Sequence, residues 1–509
     1  MIFGRRKPLD AILATAEKKA LPRTLGPIQL TLLGVGATIG TGIFVLTSEA
    51  AQKAGPAMMI SFAIAGLVCA VAALCYSELA AMVPVSGSAY TYTYAVMGEL
   101  MAWMVGWALV LEYAVSGAAV SVGWSGYIVG LLHDSLGIAI PPALAVGPYA
   151  GGLINLPATL ISLVVTALLM VGTSESAKVN ALLVAGKVAA LTLFIAITVP
   201  FVKQNEFTPF LPNGWGVMGV GGAAASIFFA YVGFDAVSTA AEETRNPQRN
   251  VPIGLLGSLV VCTAFYLLVA AGAIGFTGVP GFAQPVTGAG GELLAPGSVR
   301  LAQRCAEIAT LDGAAPLACS NEALAYVLKL GGYDWAGYIV GLAAGLALPS
   351  VILLMLYGQT RIFFVMARDG LLPEKLAAIH PKWKTPHVVT LITGVFVAAV
   401  AAFLPVGKLA DISNSGTLFA FFMVSVAVVI LRRTDPDRPR PFRTPLVWLV
   451  SPLSAIGCVG LYLLLPLEAK LVLPIWGGMG LLLYFAYGYR KSHVGRGSIE
   501  VHELDSDAP

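Results

Sequence analysis

The stretch Gly34-Val35-Gly36-Ala37-Thr38-Ile39-Gly40-Thr41-Gly42 sets four glycines in nine residues inside an apolar run. A second apolar run holds Phe228-Phe229-Ala230-Tyr231-Val232-Gly233-Phe234-Asp235, with a glycine close to an acid. Glycine inside a helix costs roughly 0.5–1 kcal/mol relative to alanine, so both patterns predict local unwinding. Unwound backbone at membrane depth survives only when it is packed in protein or lines a cavity. Amides freed at Ile39, Gly40, Thr41 and Gly42, aided by the positive end of the half-helix that follows, would hold a carboxylate. Carbonyls freed at Phe229, Ala230 and Val232 would accept hydrogen bonds from an ammonium. A zwitterion fits such a pair of ends. The competing use of the glycines is close helix packing; two breaks at corresponding places in two sets of five spans favour a binding site between discontinuous helices.

Two charges stand alone in apolar surroundings. Lys187 lies ten positions into its span, about 15 Å along a helix and hence near the midplane. A cation there costs roughly 2.5–3.5 kcal/mol on insertion scales, which marks it as a functional candidate, the alternative being a permanent structural tie to helix carbonyls. Glu112, in Leu111-Glu112-Tyr113-Ala114, reads as a gating or structural charge rather than a substrate contact.

Reactive chemistry finds no support. The five histidines (His133, His380, His387, His493, His502) fall in loops, tails or at a span edge, so the serine of Gly123-Trp124-Ser125-Gly126 has no intramembrane base. No Cys/His cluster suggests a metal, no phosphate loop suggests a nucleotide motor, and no cofactor is implied. The expectation is a carrier, not an enzyme.

The elements that must position these residues follow from composition. The chain has 509 residues, 57% hydrophobic and only 11% charged, with mean hydropathy +0.83; soluble domains carry roughly 25% charge. It is an integral membrane protein with no nucleic-acid partner, and lipids are expected on its outer faces. Apolar runs of spanning length predict twelve transmembrane helices. They divide into a cytoplasmic arm (1–27), spans one to five (28–201), spans six to ten (216–431) with an outer loop at 277–335, spans eleven and twelve (446–489), and a cytoplasmic tail (490–509). The third span is expected at 97–131 and the sixth at 216–241. With the N-terminus inside, inner segments hold 22 Lys and Arg and outer ones seven, and Lys187 completes the 30. Both termini are then cytoplasmic. Compact loops favour a bacterial inner membrane, with Cys305 and Cys319 on its oxidising side, where they would form a disulfide or remain free thiols.

The motifs GVGATIGTGIFV, VSGSAYTYTY, LEYAVSG, SESAKVNALLVAGKVAAL, FFAYVGFDAVSTAAEETRNPQRNVP and YGQTRIFFVMARDGLLP occur in order between about residues 22 and 490. Together they resemble the amino acid–polyamine–organocation superfamily, most closely a bacterial member of its cationic amino acid transporter branch. The resemblance implies an all-α fold with a five-plus-five inverted repeat, two further C-terminal helices and alternating access. It implies that Thr38, Ile39, Thr41 and Gly42 meet a substrate carboxylate and that Phe229, Ala230 and Val232 meet its amine, with Phe229 as an aromatic gate. It places Lys187 where proton-coupled relatives use a lysine in place of a sodium ion between the first and eighth spans. Met355 falls where relatives that carry cationic substrates tend to have a smaller polar residue. A bulky apolar side chain there shortens the pocket, unless it faces a neighbouring helix instead. The expected function is therefore proton-coupled import of small or medium neutral L-amino acids. The alternatives are a cationic amino acid carrier, or an exchanger or sensor of the same fold. A small accessory subunit is compatible with this reading, and no residue pattern points to one.

Overall fold

The computed structural model describes residues 5–7, 25–83, 88–172, 177–383 and 385–497. Among them the chain is helical, and extended pairing is confined to two isolated bridges, Leu25 with Thr244 and Thr287 with Leu293. Nine of the described helical segments are long and apolar enough to cross a membrane, and Pro27–Thr38, Leu156–Val171 and His387–Phe403 are shorter apolar helices. Helices are the expected answer, because each satisfies its own backbone polar groups where water is absent.

The first half runs α1 (Pro27–Thr38), α2 (Thr41–Phe44), α3 (Leu46–Ala54), α4 (Met58–Met82), α5 (Ser88–Met97), α6 (Glu99–Leu136), α7 (Leu156–Val171) and α8 (Ala177–Thr198). The second runs α9 (Val220–Ile227), α10 (Ala236–Thr239), α11 (Pro247–Gly275), the loop helices α12 (Val299–Asp312) and α13 (Ala323–Leu330), α14 (Asp334–Arg368), α15 (His387–Phe403) and α16 (Val406–Thr434). α17 (Val447–Leu464) and α18 (Leu467–Leu483) close the chain.

The 38-residue α6 is the central shaft, about 57 Å long at 1.5 Å per residue. It packs along α14 and α16, while α11 packs against α1 and α4. Small polar groups join the helices: Ser116 Oγ lies 2.7 Å from Ser413 Oγ, and Ser425 Oγ lies 2.8 Å from Ser454 Oγ. Trp107 and Trp476 stack with ring centroids 4.7 Å apart, and each indole N–H donates to the other residue's carbonyl, at 2.8 and 2.7 Å. In hydrocarbon, where helices gain little by hiding apolar surface from lipid, such contacts carry the packing.

Span boundaries shift modestly from expectation. The third span is Glu99–Leu136 rather than 97–131, while the sixth breaks after Tyr231, within the Phe228–Asp235 stretch where unwinding is expected. The loop 277–335 carries an amphipathic helix, α12. Its signal was present: the Ser298 hydroxyl caps Leu301 N–H, and Leu301, Cys305 and Ile308 follow at helical spacing to pack on Val286 and Leu294. Cys305 and Cys319 are joined by a disulfide, with Cα atoms 5.7 Å apart. Gln52 at the end of α3 ties this loop down, donating to the carbonyls of Val286 and Leu294 at 2.9 Å each and accepting from Val286 N–H at 2.8 Å.

At the other end Glu78, at the foot of α4, accepts a fork of hydrogen bonds from Arg432 at 2.7 and 2.8 Å and one from Thr444 N–H at 2.8 Å. Arg440 lies 3.3 Å from the same carboxylate. Glu78 is buried, so removing it takes the carboxylate from Arg432 and Arg440, of which Arg440 keeps its bonds to the carbonyls of Leu431, Asp435, Pro436 and Arg438. Glu78→Ala is expected to cost about 3–5 kcal/mol of stability. Arg304→Ala, which breaks an exposed pair with Glu307, should cost under about 1 kcal/mol. Denaturant unfolding of the purified variants measures both; equal losses would show that the Glu78 cluster is not a clamp.

Candidate functional site

α1 ends at Thr38 because Ile39 turns extended (φ −72°, ψ 100°), and Gly40 (φ −150°, ψ −149°) continues the break before α2 starts at Thr41. In the sixth span α9 tightens into a single turn at Phe228–Tyr231, Val232 is extended (ψ 135°), and Gly233 takes φ +112°. That last conformation is one that side chains with a Cβ rarely adopt.

The two breaks lie directly on each other. A Cβ on Gly42 would stand 2.3 Å from Ala230 Cα, and one on Gly233 would stand 2.8 Å from the Ala37 carbonyl oxygen. The segments 37–42 and 230–233 therefore cross backbone to backbone, and glycine is required at both contacts. Tyr266 on α11 braces the crossing: its hydroxyl lies 2.7 Å from the Ala230 carbonyl and 3.1 Å from that of Thr38. One O–H proton serves two freed carbonyls. Sequence reasoning missed Tyr266, whose only signal was one polar tip in an otherwise apolar run.

The groups at the crossing divide into used and unused. Ile39 N–H donates to Val35 O at 2.8 Å, so this residue does not offer the amide assigned to it from sequence. The N–H groups of Thr41 and Gly42 begin a helix and precede any intrahelical acceptor. The Thr38 and Thr41 hydroxyls are buried and have no hydrogen-bond partner among the described residues. On the facing segment the Ala230 carbonyl takes Tyr266 and the Phe229 carbonyl accepts Val232 N–H at 3.1 Å, each keeping a second lone pair. Phe229 is 6% exposed.

A cavity of about 330 Å³ reaches the crossing from the end where α1 begins. Gly36, Ala37, Gly233, Val351 and Met355 line its inner part, and Leu25, Glu243 and Arg361 line it nearer the chain's N-terminal side. Met355 thus faces space, not only another helix. Lys187 is 1% exposed, and its Nζ donates to the Gly36 carbonyl at 3.0 Å, one turn before the break. Lys187 is thus tied to the first span at Gly36, and its helix α8 also packs along α14. Glu112 is buried apart from the cavity, against α16. A Cβ on Gly416 would lie 3.5 Å from its Cβ, and Oε2 has no hydrogen-bond partner among the described residues. Among the described residues no cluster of His, Cys, Asp or Glu could hold a metal ion.

Broken helices crossing at a glycine contact, with unpartnered polar groups and a cavity leading to them, define a solute carrier of the multi-pass membrane class. The chain belongs to the amino acid permease family, whose model matches residues 25–481. It is 43% identical over 495 residues to the branched-chain amino acid permease BcaP of Bacillus subtilis, covering 96% of this chain and 98% of that one. It is 40% identical over 491 residues to the methylthioribose transporter of the same organism, with the same coverage. A vacuolar cationic amino acid transporter of Arabidopsis thaliana is 33% identical over 444 residues, covering 85% of this chain and 67% of the relative.

The crossing makes a sharp contrast between neighbouring glycines. Gly42→Ala is expected to force the segments apart and destabilise the fold by about 1–3 kcal/mol. Gly40→Ala, whose Cβ would meet only Val351 side-chain atoms at 3.6 Å, should melt near wild type. A Gly42→Ala protein with unchanged thermal stability would mean the contact can relax. Tyr266→Phe, by leaving a buried carbonyl without its donor, should lower stability by about 1–3 kcal/mol in the same melts.

Proposed function

We propose that this permease imports small to medium neutral L-amino acids, with branched-chain side chains within its range, driven by protons through alternating access. The observation that carries the reading is the crossing itself, where helix-start amides at Thr41 and Gly42 stand beside carbonyls at Phe229, Ala230 and Val232. The amides and the half-helix α2–α3 take the carboxylate, and the facing carbonyls take the ammonium. Thr38 and Thr41 add hydroxyls that have no other partner. Gly40 gives the carboxylate room, Ile39 packs beneath it, and Phe229 covers the bound substrate.

The side chain then extends toward Val351 and Met355 in the cavity. Met355 offers a guanidinium or a distal ammonium nothing to bond, which disfavours cationic substrates. Relatives agree in direction: identity is 43% to the branched-chain permease and 33% to the plant cationic transporter.

Lys187 is assigned the proton. Protonated, it holds the last turn of α1 to α8 through the Gly36 carbonyl, and Gly36 itself lines the cavity, which gives that proton a route out on one side. Losing the charge loosens the brace and frees α1 to move, which couples occupancy to the change of access. Glu112 stabilises the α6–α16 interface through that movement.

The architecture assigned to this cycle is twelve crossings: inverted halves at 28–201 and 216–431, then 446–489. The arm 1–27 and tail 490–509 are cytoplasmic, and the site of action is a bacterial inner membrane. No bond is made or broken, and lipids and protons are the other partners.

Uptake of labelled leucine into proteoliposomes tests this. An inward proton gradient should raise accumulation at least about tenfold in wild type and not at all in Lys187→Ala, a difference of about 1.4 kcal/mol or more in driving force. Met355→Ser should let arginine compete with leucine. Leucine accumulation that persists in Lys187→Ala would reject the coupling role. Uptake only against internal amino acid would indicate an exchanger, and methylthioribose uptake without leucine uptake would reject the substrate class.

A further inference from the structure

A second cavity, also about 330 Å³, lies on the other side of the crossing. It is bounded by Val45, three residues beyond Gly42, and by the disulfide of the outer loop. Glu49 of α3 lines it and is 7% exposed, yet among the described residues no donor hydrogen-bonds or ion-pairs its carboxylate. The nearest cation is already committed: Lys53 donates to Ser226 and lies 3.4 Å from Asp411, a charge-balanced group. Glu49 is therefore a surplus buried carboxylate lining a cavity, and such a charge is costly until a cation meets it. Its seat is shaped for it, because a Cβ on Gly407 would fall 1.8 Å from Glu49 Oε1.

We propose that this vestibule is a second amino acid subsite, with Glu49 accepting the substrate ammonium. The proposal rests on the amino acid reading of the crossing. Donors for the carboxylate line the same cavity. Asn155 Oδ1 is occupied by Ser125 Oγ at 2.7 Å and Ala158 N–H at 3.1 Å, which leaves its amide N–H groups to donate. The hydroxyls of Ser298 and Ser320 accept from Leu301 and Glu322 N–H and keep their own protons to give. A zwitterion therefore meets a carboxylate for its ammonium and neutral N–H and O–H donors for its carboxylate in one vestibule, while the cavity that reaches Gly36, Ala37 and Gly233 lies on the other side. The vestibule is a waiting position for external substrate, filled before the carrier turns outward.

Equilibrium binding of tritiated leucine to the purified full chain counts the occupants. Wild type is expected to hold about two leucines per chain and Glu49→Gln about one. Gly407→Ala, which displaces the carboxylate without removing its charge, should show the same loss. One leucine per chain in both wild type and Glu49→Gln, or two in both, overturns the proposal. One in wild type and none in Glu49→Gln would support the vestibule and reject the crossing as the site, so the two readings fail in different ways.

Discussion

Everything in this molecule depends on two unwound segments lying on each other without side chains between them. Gly42 rests on Ala230 and Gly233 on Ala37. Such an approach exposes amides and carbonyls that a continuous helix would consume, and in hydrocarbon those groups need partners or a polar ligand. Tyr266 supplies a partner for two carbonyls, and the unpartnered hydroxyls of Thr38 and Thr41 show where partners stop. On the proposed reading, a site made of backbone recognises what all amino acids share and leaves selectivity to side chains such as Met355 that line the cavity.

The distribution of charge follows from the same constraint. Glu78 is bound by arginines, Glu99 by Tyr94, Tyr484 and Arg5, and Asp369 by Tyr90 and Lys7, all away from the crossing. These clusters pin helix ends, where a buried charge can be fully paired. Deeper in, the ionisable groups are few: Lys187 holds a helix carbonyl, Lys53 and Asp411 neutralise each other, and Glu112 and Glu49 keep carboxylate oxygens without donors. Charges of the last kind are costly in a membrane protein unless a proton or a substrate visits them.

Much of this was legible in the chain. Hydropathy marked the spans, and Gly34 to Gly42 with Gly233 marked the breaks, because glycine runs in apolar surroundings have few uses. Lys187 announced itself by being alone. What the sequence could not carry was which freed group bonds to which. Ile39 donates its amide backward to Val35, and Ala230 is claimed by Tyr266, a residue with no local pattern and a partner 36 positions away. Glu49 was hidden for a similar reason: only the fold shows that Lys53, four residues on, is taken by Asp411 from α16. Contacts across such separations depend on packing, which periodicity does not encode.

A cryo-electron-microscopy map of the full chain with leucine bound would test the central claim most directly. Density is expected at the crossing, the carboxylate about 2.7–3.2 Å from the N–H groups of Thr41 and Gly42 and the ammonium within the same range of the Phe229 or Val232 carbonyl. A crossing that stays empty in a leucine-saturated map, with the ligand resolved elsewhere, would contradict it.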